Sequence, residues 1–175
     1  MNYFQTYTKL TKGLSPKTKD IFDRRFGVKT GKIETLESIG QRLGITRERV
    51  RQIEEAGFSF VRKNNKELLE TIFKDLNAYF EKHGGFKKES TVLEDLGGKN
   101  HKAYVLFLLT LGNEFLRVCE KKDHYDFWTA MQGGDGSVKN RLALLVSDIS
   151  DHKNLLTHEE LHANFASKHN LNNES

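Results

Sequence analysis

The chain has one cysteine and one proline, and its longest apolar run extends only from Ala103 to Leu109. Each scarcity excludes something. A lone thiol, Cys119, cannot close an internal disulfide. The first residues (Met1, Asn2, Tyr3, Phe4, Gln5) show no basic-then-apolar export signal, so a reducing cytoplasm is the expected compartment. The apolar run falls far short of the roughly 20 residues that a bilayer-crossing helix needs, so no membrane span is expected. No Gly-rich phosphate loop, nucleophile elbow or catalytic carboxylate pair appears, which argues against an enzyme and against a cofactor. One catalytic pattern does occur: His158-Glu159-Glu160-Leu161-His162 fits the His-Glu-x-x-His zinc motif. That motif needs a third ligand. In the extended variant a glycine would stand at position 165 and a histidine at 168; the chain has Phe165 and Lys168, with His169 one place late. Thr157 and Glu160 already explain the segment as a capped helix, and no metal site is assigned.

What is present is a chain of 175 residues, 37% hydrophobic and 30% charged, long enough to bury a core and too apolar to be disordered. Its charge is unevenly spread. Up to Lys63 there are 14 basic and 7 acidic side chains; beyond it, 14 and 17. The basicity therefore belongs to the first third, as expected of a polyanion-binding module joined to a part with no such need.

Within that third, Ser15-Pro16 is a helix start, Ile21, Phe22 and Phe26 recur at helical spacing, and Gly27 ends the run. After turn residues Lys29 to Lys32, a short helix fits Thr35 to Leu43, with Leu36, Ile39, Gly40 and Leu43 inward. Gly44 breaks it. Thr46 caps a third helix that carries Val50 and Ile53 inward and runs toward Arg62. Two helices joined by a tight glycine-containing turn are the helix-turn-helix signature, and the first residues of the second helix then face the DNA major groove. Those residues are Arg47, Glu48, Arg51 and Gln52, on one broad face opposite Val50 and Ile53. Arginine can fork onto guanine, glutamine onto adenine, and glutamate can accept from a cytosine amine.

The run from Thr35 through Gly44-Ile45-Thr46-Arg47-Glu48-Arg49-Val50-Arg51-Gln52-Ile53 to Glu54 closely resembles region four of bacterial primary sigma factors, the part that binds the −35 promoter element. The stretch Leu14 to Val28, with its Arg25-Phe26-Gly27 corner, resembles that region's first helices. The resemblance implies that Arg47, Glu48, Arg51 and Gln52 touch bases, and that Thr46 and Arg49 hold phosphates. Arg42, Lys29 and Lys32 are expected near phosphates as well. It also implies RNA polymerase as a partner, through the flap of its β subunit. Sigma factors carry the module at their C-terminal end, whereas here it lies near the N-terminus, so a complete sigma factor is not expected. Gly57 and Phe58 stand where the family has small or aliphatic residues. Gly57 is expected to weaken the helix by about 1 kcal/mol, and to end or bend it.

The remainder reads as helices followed by a hairpin. Leu68, Leu69, Ile72, Phe73, Leu76, Tyr79 and Phe80 form the stripe of an amphipathic helix over Asn65 to Lys82. Thr91 and Glu94 form a capping box for a short helix, and a third helix fits His101 to Leu111. Phe115–Cys119 and Tyr125–Thr129 read as paired strands whose aromatics are core. That is the winged-helix order. The third helix is apolar apart from Asn100, His101 and Lys102, which favours protein contact or scaffolding over base readout. A weak repeat, offset by about 66 residues, suggests a partial second unit with helices over Val138–Ile149 and from Thr157, either reduced to a helical hairpin or cut short.

The expected architecture is mainly α: a helix-turn-helix head over 14–63, a winged-helix domain (three helices plus a β-hairpin) over 65–130, and a partial second winged helix or helical hairpin over 137–170. The expected function is that of a sequence-specific transcription factor that binds double-stranded DNA. The alternative is a protein that docks on RNA polymerase or its sigma factor with incidental DNA contact. Oligomeric state and target sequence are not legible from the residues.

Overall fold

A computed structural model of the chain describes residues 1–120, 125–130 and 140. The expected second unit over 137–170, Asn140 apart, and the His158–His162 motif lie outside the described residues. The described part is mainly helical, with seven helices and a small antiparallel sheet. It divides into two compact units, one of Met1–Ile72 with Leu93–Gly112, the other of Phe73–Val92 with the described residues from Asn113 onward.

The first unit begins with a helix the spacing did not announce, α1 (Tyr3–Leu10), capped by Asn2, whose side chain accepts from the Gln5 N–H. Helix α2 (Pro16–Arg25) follows the expected Ser15-Pro16 start, with the Ser15 hydroxyl accepting from the Thr18 N–H at 3.1 Å. Helices α3 (Leu36–Leu43) and α4 (Arg47–Asn64) have the same kind of cap: Thr35 accepts from Ser38 and Thr46 from Arg49, each at 3.1 Å. Gly44, in the left-handed conformation at φ 64°, ends α3. Between α2, α3 and α4, Ile21, Ile39 and Val50 form a buried nucleus, flanked by Leu36, Leu43, Ile45 and Ile53. The contact is close enough to require glycine at position 40, where a Cβ would lie 2.7 Å from the Ile45 carbonyl oxygen.

Helix α4 does not end at Gly57; it is continuous from Arg47 to Asn64. The glycine is there because α2 passes too near for a side chain. A Cβ at Gly57 would sit 2.6 Å from Thr18 Cγ2 and 2.8 Å from Phe22 Cζ. Tertiary packing thus outweighs the local propensity cost.

Helix α5 (Lys66–Lys82) has the expected amphipathic stripe, with Leu69, Ile72, Leu76 and Phe80 buried. Strand β1 (Phe86–Lys88) and helix α6 (Glu89–Gly97) follow; α6 begins two residues before Thr91, so the expected capping box is not its start. Helix α7 (Lys102–Leu111) buries Val105, Leu106, Phe107, Leu108, Leu109 and Leu111. It belongs to the first unit, where the Phe107 ring meets Tyr7, Phe22, Phe26 and Phe58 at centroid distances of 4.9, 5.5, 5.4 and 6.0 Å. Arg62 on α4 donates to the Leu111 carbonyl at 2.9 Å.

Strands β2 (Leu116–Val118) and β3 (Phe127–Thr129) are shorter than the expected runs and pair antiparallel, with Leu116 opposite Thr129. Strand β1, which the spacing did not suggest, adds to the other side of β3, giving the order β1-β3-β2. Helix, strand, two helices and two strands make a winged-helix-like succession. Within the second unit Glu89 accepts from the Trp128 indole N–H at 2.8 Å and pairs with Arg117. Phe115, Phe127 and Trp128 are buried as expected, but Tyr125 is exposed, with the Lys88 ammonium 3.9 Å from its ring centre.

Candidate nucleic-acid interface

Burial of Val50, Gly57, Phe58 and Val61 fixes the rotation of α4, and that rotation turns its other side to solvent. Arg47, Glu48, Arg51 and Gln52 are all exposed on the first two turns, directly after the Gly44 turn. Three of the four are joined by hydrogen bonds. Arg51 donates through Nε and Nη2 to both oxygens of Glu48 at 2.9 and 2.8 Å, and Gln52 donates to Glu48 at 3.4 Å. A fourth exposed residue of the helix, Arg49, donates to the Gln52 amide oxygen at 3.2 Å. The second guanidinium terminus of Arg51, Nη1, is held by Glu55 at 2.9 Å. Hydrogen bonds donated by Arg51 pull the Glu48 carboxyl below its ordinary value, and the same bonds raise the Arg51 guanidinium further still.

The residues expected near phosphates are more dispersed. Thr46 spends one acceptor site on the helix cap. Arg42 pairs with Glu34 at 3.4 Å, and Glu34 also takes Arg24 at 3.3 Å. Lys29 reaches back to Asp23 at 2.8 Å, while Lys32 is exposed in the segment before α3. Arg42 and Lys29 thus enter ion pairs within the head yet keep more than half of their side-chain surface, at 58% and 67%.

Sequence reasoning passed over the acids that organise these bases. Asp23, 2% exposed, accepts from the Tyr7 hydroxyl at 2.7 Å and pairs with Lys19 at 3.3 Å as well as with Lys29. Burial by itself would raise its pKa, but the Lys29 and Tyr7 hydrogen bonds and the Lys19 charge outweigh burial and hold the carboxyl below its usual value. Tyr7 moves upward, through burial first and the Asp23 hydrogen bond second. Glu54, beneath the exposed face, pairs with Arg25 at 3.4 Å and is shifted upward by burial, which the Arg25 charge only partly offsets. Glu55 was legible in principle: it stands four residues after Arg51, the spacing at which helix side chains pair. Among the described residues no cluster of three or more His, Cys, Asp or Glu could hold a metal ion, and no helix is long and apolar enough to cross a membrane.

The segment that carries these residues is similar to known proteins. Residues 12–63 match the family described as Sigma-70, region 4. The RNA polymerase sigma factor SigA of Nostoc sp. strain PCC 7120 is 41% identical over 58 residues, 33% of this chain and 15% of that protein. SigA1 of Synechococcus elongatus is 43% identical over 53 residues, covering 30% of this chain and 13% of its own. The sigma factor sigB of Arabidopsis thaliana is 40% identical over 62 residues, 35% of this chain and 11% of that protein. The chain therefore spans no more than about one seventh of the length of these relatives. Over about a third of its length this protein is similar to sigma factors, and the similar part, which holds α2, α3 and nearly all of α4, matches their region 4.

Proposed function

We propose that the chain is a sigma-like transcription factor that binds duplex DNA and reads a promoter element with the α3–α4 helix-turn-helix. The observation that carries this reading is the exposed set Arg47, Glu48, Arg51 and Gln52 on the first two turns of α4. Those side chains supply the bidentate donors and acceptors that major-groove base edges match. In this reading Thr46, Arg49, Arg42, Lys29 and Lys32 contact phosphates, fixing position while the base contacts specify. Similarity to RNA polymerase sigma factors supports polymerase as the protein partner, with the β-subunit flap as the proposed contact, and a cytoplasmic site of action. The role is one of binding, and no residue is assigned to catalysis.

Selection of bound duplexes from a random pool tests the reading directly: a recurring short motif is expected. On that motif Arg51→Ala should cost about 1–3 kcal/mol of affinity and relax one base position. Equal loss on every sequence would remove Arg51 from direct readout. A pool without enrichment, together with co-migration with purified polymerase on a sizing column, would replace DNA reading with protein docking.

A further inference from the structure

Two carboxylates share the guanidinium of Arg51, and they hold different parts of it. Glu48 takes Nε and Nη2, the side edge, while Glu55 takes Nη1. A guanine offers two neighbouring acceptors to two parallel N–H groups of one arginine edge. The end edge, Nη1 with Nη2, includes the nitrogen that Glu55 holds; Glu48 can keep Nε and hold the group in place when Glu55 lets go. Both members of the Arg51–Glu55 pair are exposed, at 51% and 68%, so the pair can open at little cost.

We propose that Glu55 is a specificity-determining residue of the head: it masks Arg51 from arbitrary DNA and yields it only to a base that accepts both hydrogen bonds. This rests on the reading of α4 given above. On a random duplex nothing compels Arg51 to leave its carboxylate, so its charge is largely cancelled and adds little to the attraction of the phosphates. On the preferred site the bidentate bond replaces the ion pair. The carboxylate thus weakens wrong complexes more than the right one, the route by which a repulsive element widens a difference of affinities.

The test compares the full chain with Glu55→Gln, which keeps the shape and removes the charge, and with Glu70→Gln. Glu70 is an exposed acid on α5, 4.0 Å from Lys66, and serves as a control for net charge. On random duplex DNA, Glu55→Gln should steepen the dependence of log affinity on log salt by about one unit and raise low-salt affinity about threefold to tenfold. On the selected motif the gain should stay within about twofold, the worth of an exposed i,i+4 pair. The preference for the motif therefore falls. Equal gains on both DNAs, no gain on either, or the same response from Glu70→Gln would overturn the assignment. A wild-type chain with no preferred motif would sink the promoter-reading function itself, and the salt slope on random DNA would still decide whether Glu55 masks Arg51. Thermal melts of all three proteins should coincide, since each altered side chain lies in solvent.

Discussion

Helices α4 and α7 each follow a glycine-containing bend, and each occupies the place where a DNA-binding fold puts its reading helix, yet their surfaces are opposite. The outer face of α4 carries arginines, a glutamate and a glutamine in the open; α7 buries six apolar side chains and exposes little beyond Lys102 and Thr110. Place in a fold confers no reading function by itself. What distinguishes α4 is that packing claims only one side of it, through Val50, Gly57, Phe58 and Val61, leaving hydrogen-bonding groups uncovered at its N-terminal end. In α7 the same packing demand reaches nearly all the way round.

The contrast can be broken most forcefully at Phe107. Phe107→Ala removes the ring that Tyr7, Phe22, Phe26 and Phe58 share, and should cost about 3–5 kcal/mol in a denaturant titration. At temperatures where the variant stays folded the proposed DNA binding should be unchanged, because α7 carries none of the residues proposed to meet bases or phosphates. Tyr7 joins this cluster to Asp23, which gives the next effect. Asp23→Asn should cost about 1–3 kcal/mol at neutral pH by weakening charge-assisted hydrogen bonds. The folded-state pKa of Asp23 lies below its ordinary 3.8, so its contribution is complete above that value and disappears as pH falls through the lower, folded one. Glu54, shifted the other way, disfavours the fold once both states are ionised, and this penalty fades on acidification. The acid limb of a stability-against-pH curve should therefore flatten in Asp23→Asn.

Gly57→Ala sharpens the comparison within α4 itself. Helix propensity favours alanine by about 1 kcal/mol, but the new methyl would press on Thr18 and Phe22, so a net loss of about 1–2 kcal/mol is expected by calorimetry. A net gain would mean that α2 can retreat. The smallest effect belongs to the polar start of α7: His101→Ala should change neither the salt dependence of DNA binding nor stability by more than about 0.5 kcal/mol. A sequence-dependent loss there would make α7 a second reader.

The legible parts of this molecule are those set by local chemistry. Ser15 and Thr46 cap the helices they precede, and the spacing of Val50 and Ile53 against Arg47, Glu48, Arg51 and Gln52 assigns the faces of α4 from period alone. What escaped depends on distant neighbours. Helix α1 buries only Tyr7 and Leu10, too few to draw a stripe. Strand β1 has three residues, too short to show alternation, and exists because β3 offers it an edge. Helix α6 starts at Glu89, where the backbone N–H meets the Asp126 carbonyl and the side chain meets Arg117 and Trp128, none of them near in sequence. Gly57 looked like a helix breaker because nothing along the chain announces that Thr18 and Phe22 stand within touching distance. Glu55 was visible but unremarked, although its spacing of four residues from Arg51 already signalled the pair.

Phe107 and Tyr7 both lie outside the segment 12–63, yet their rings complete an aromatic cluster whose other members, Phe22, Phe26 and Phe58, lie within it. A graft of that segment into a foreign scaffold would carry away a socket without its plugs, and its bare phenylalanines would invite clumping. Anyone borrowing this segment must take both flanks along.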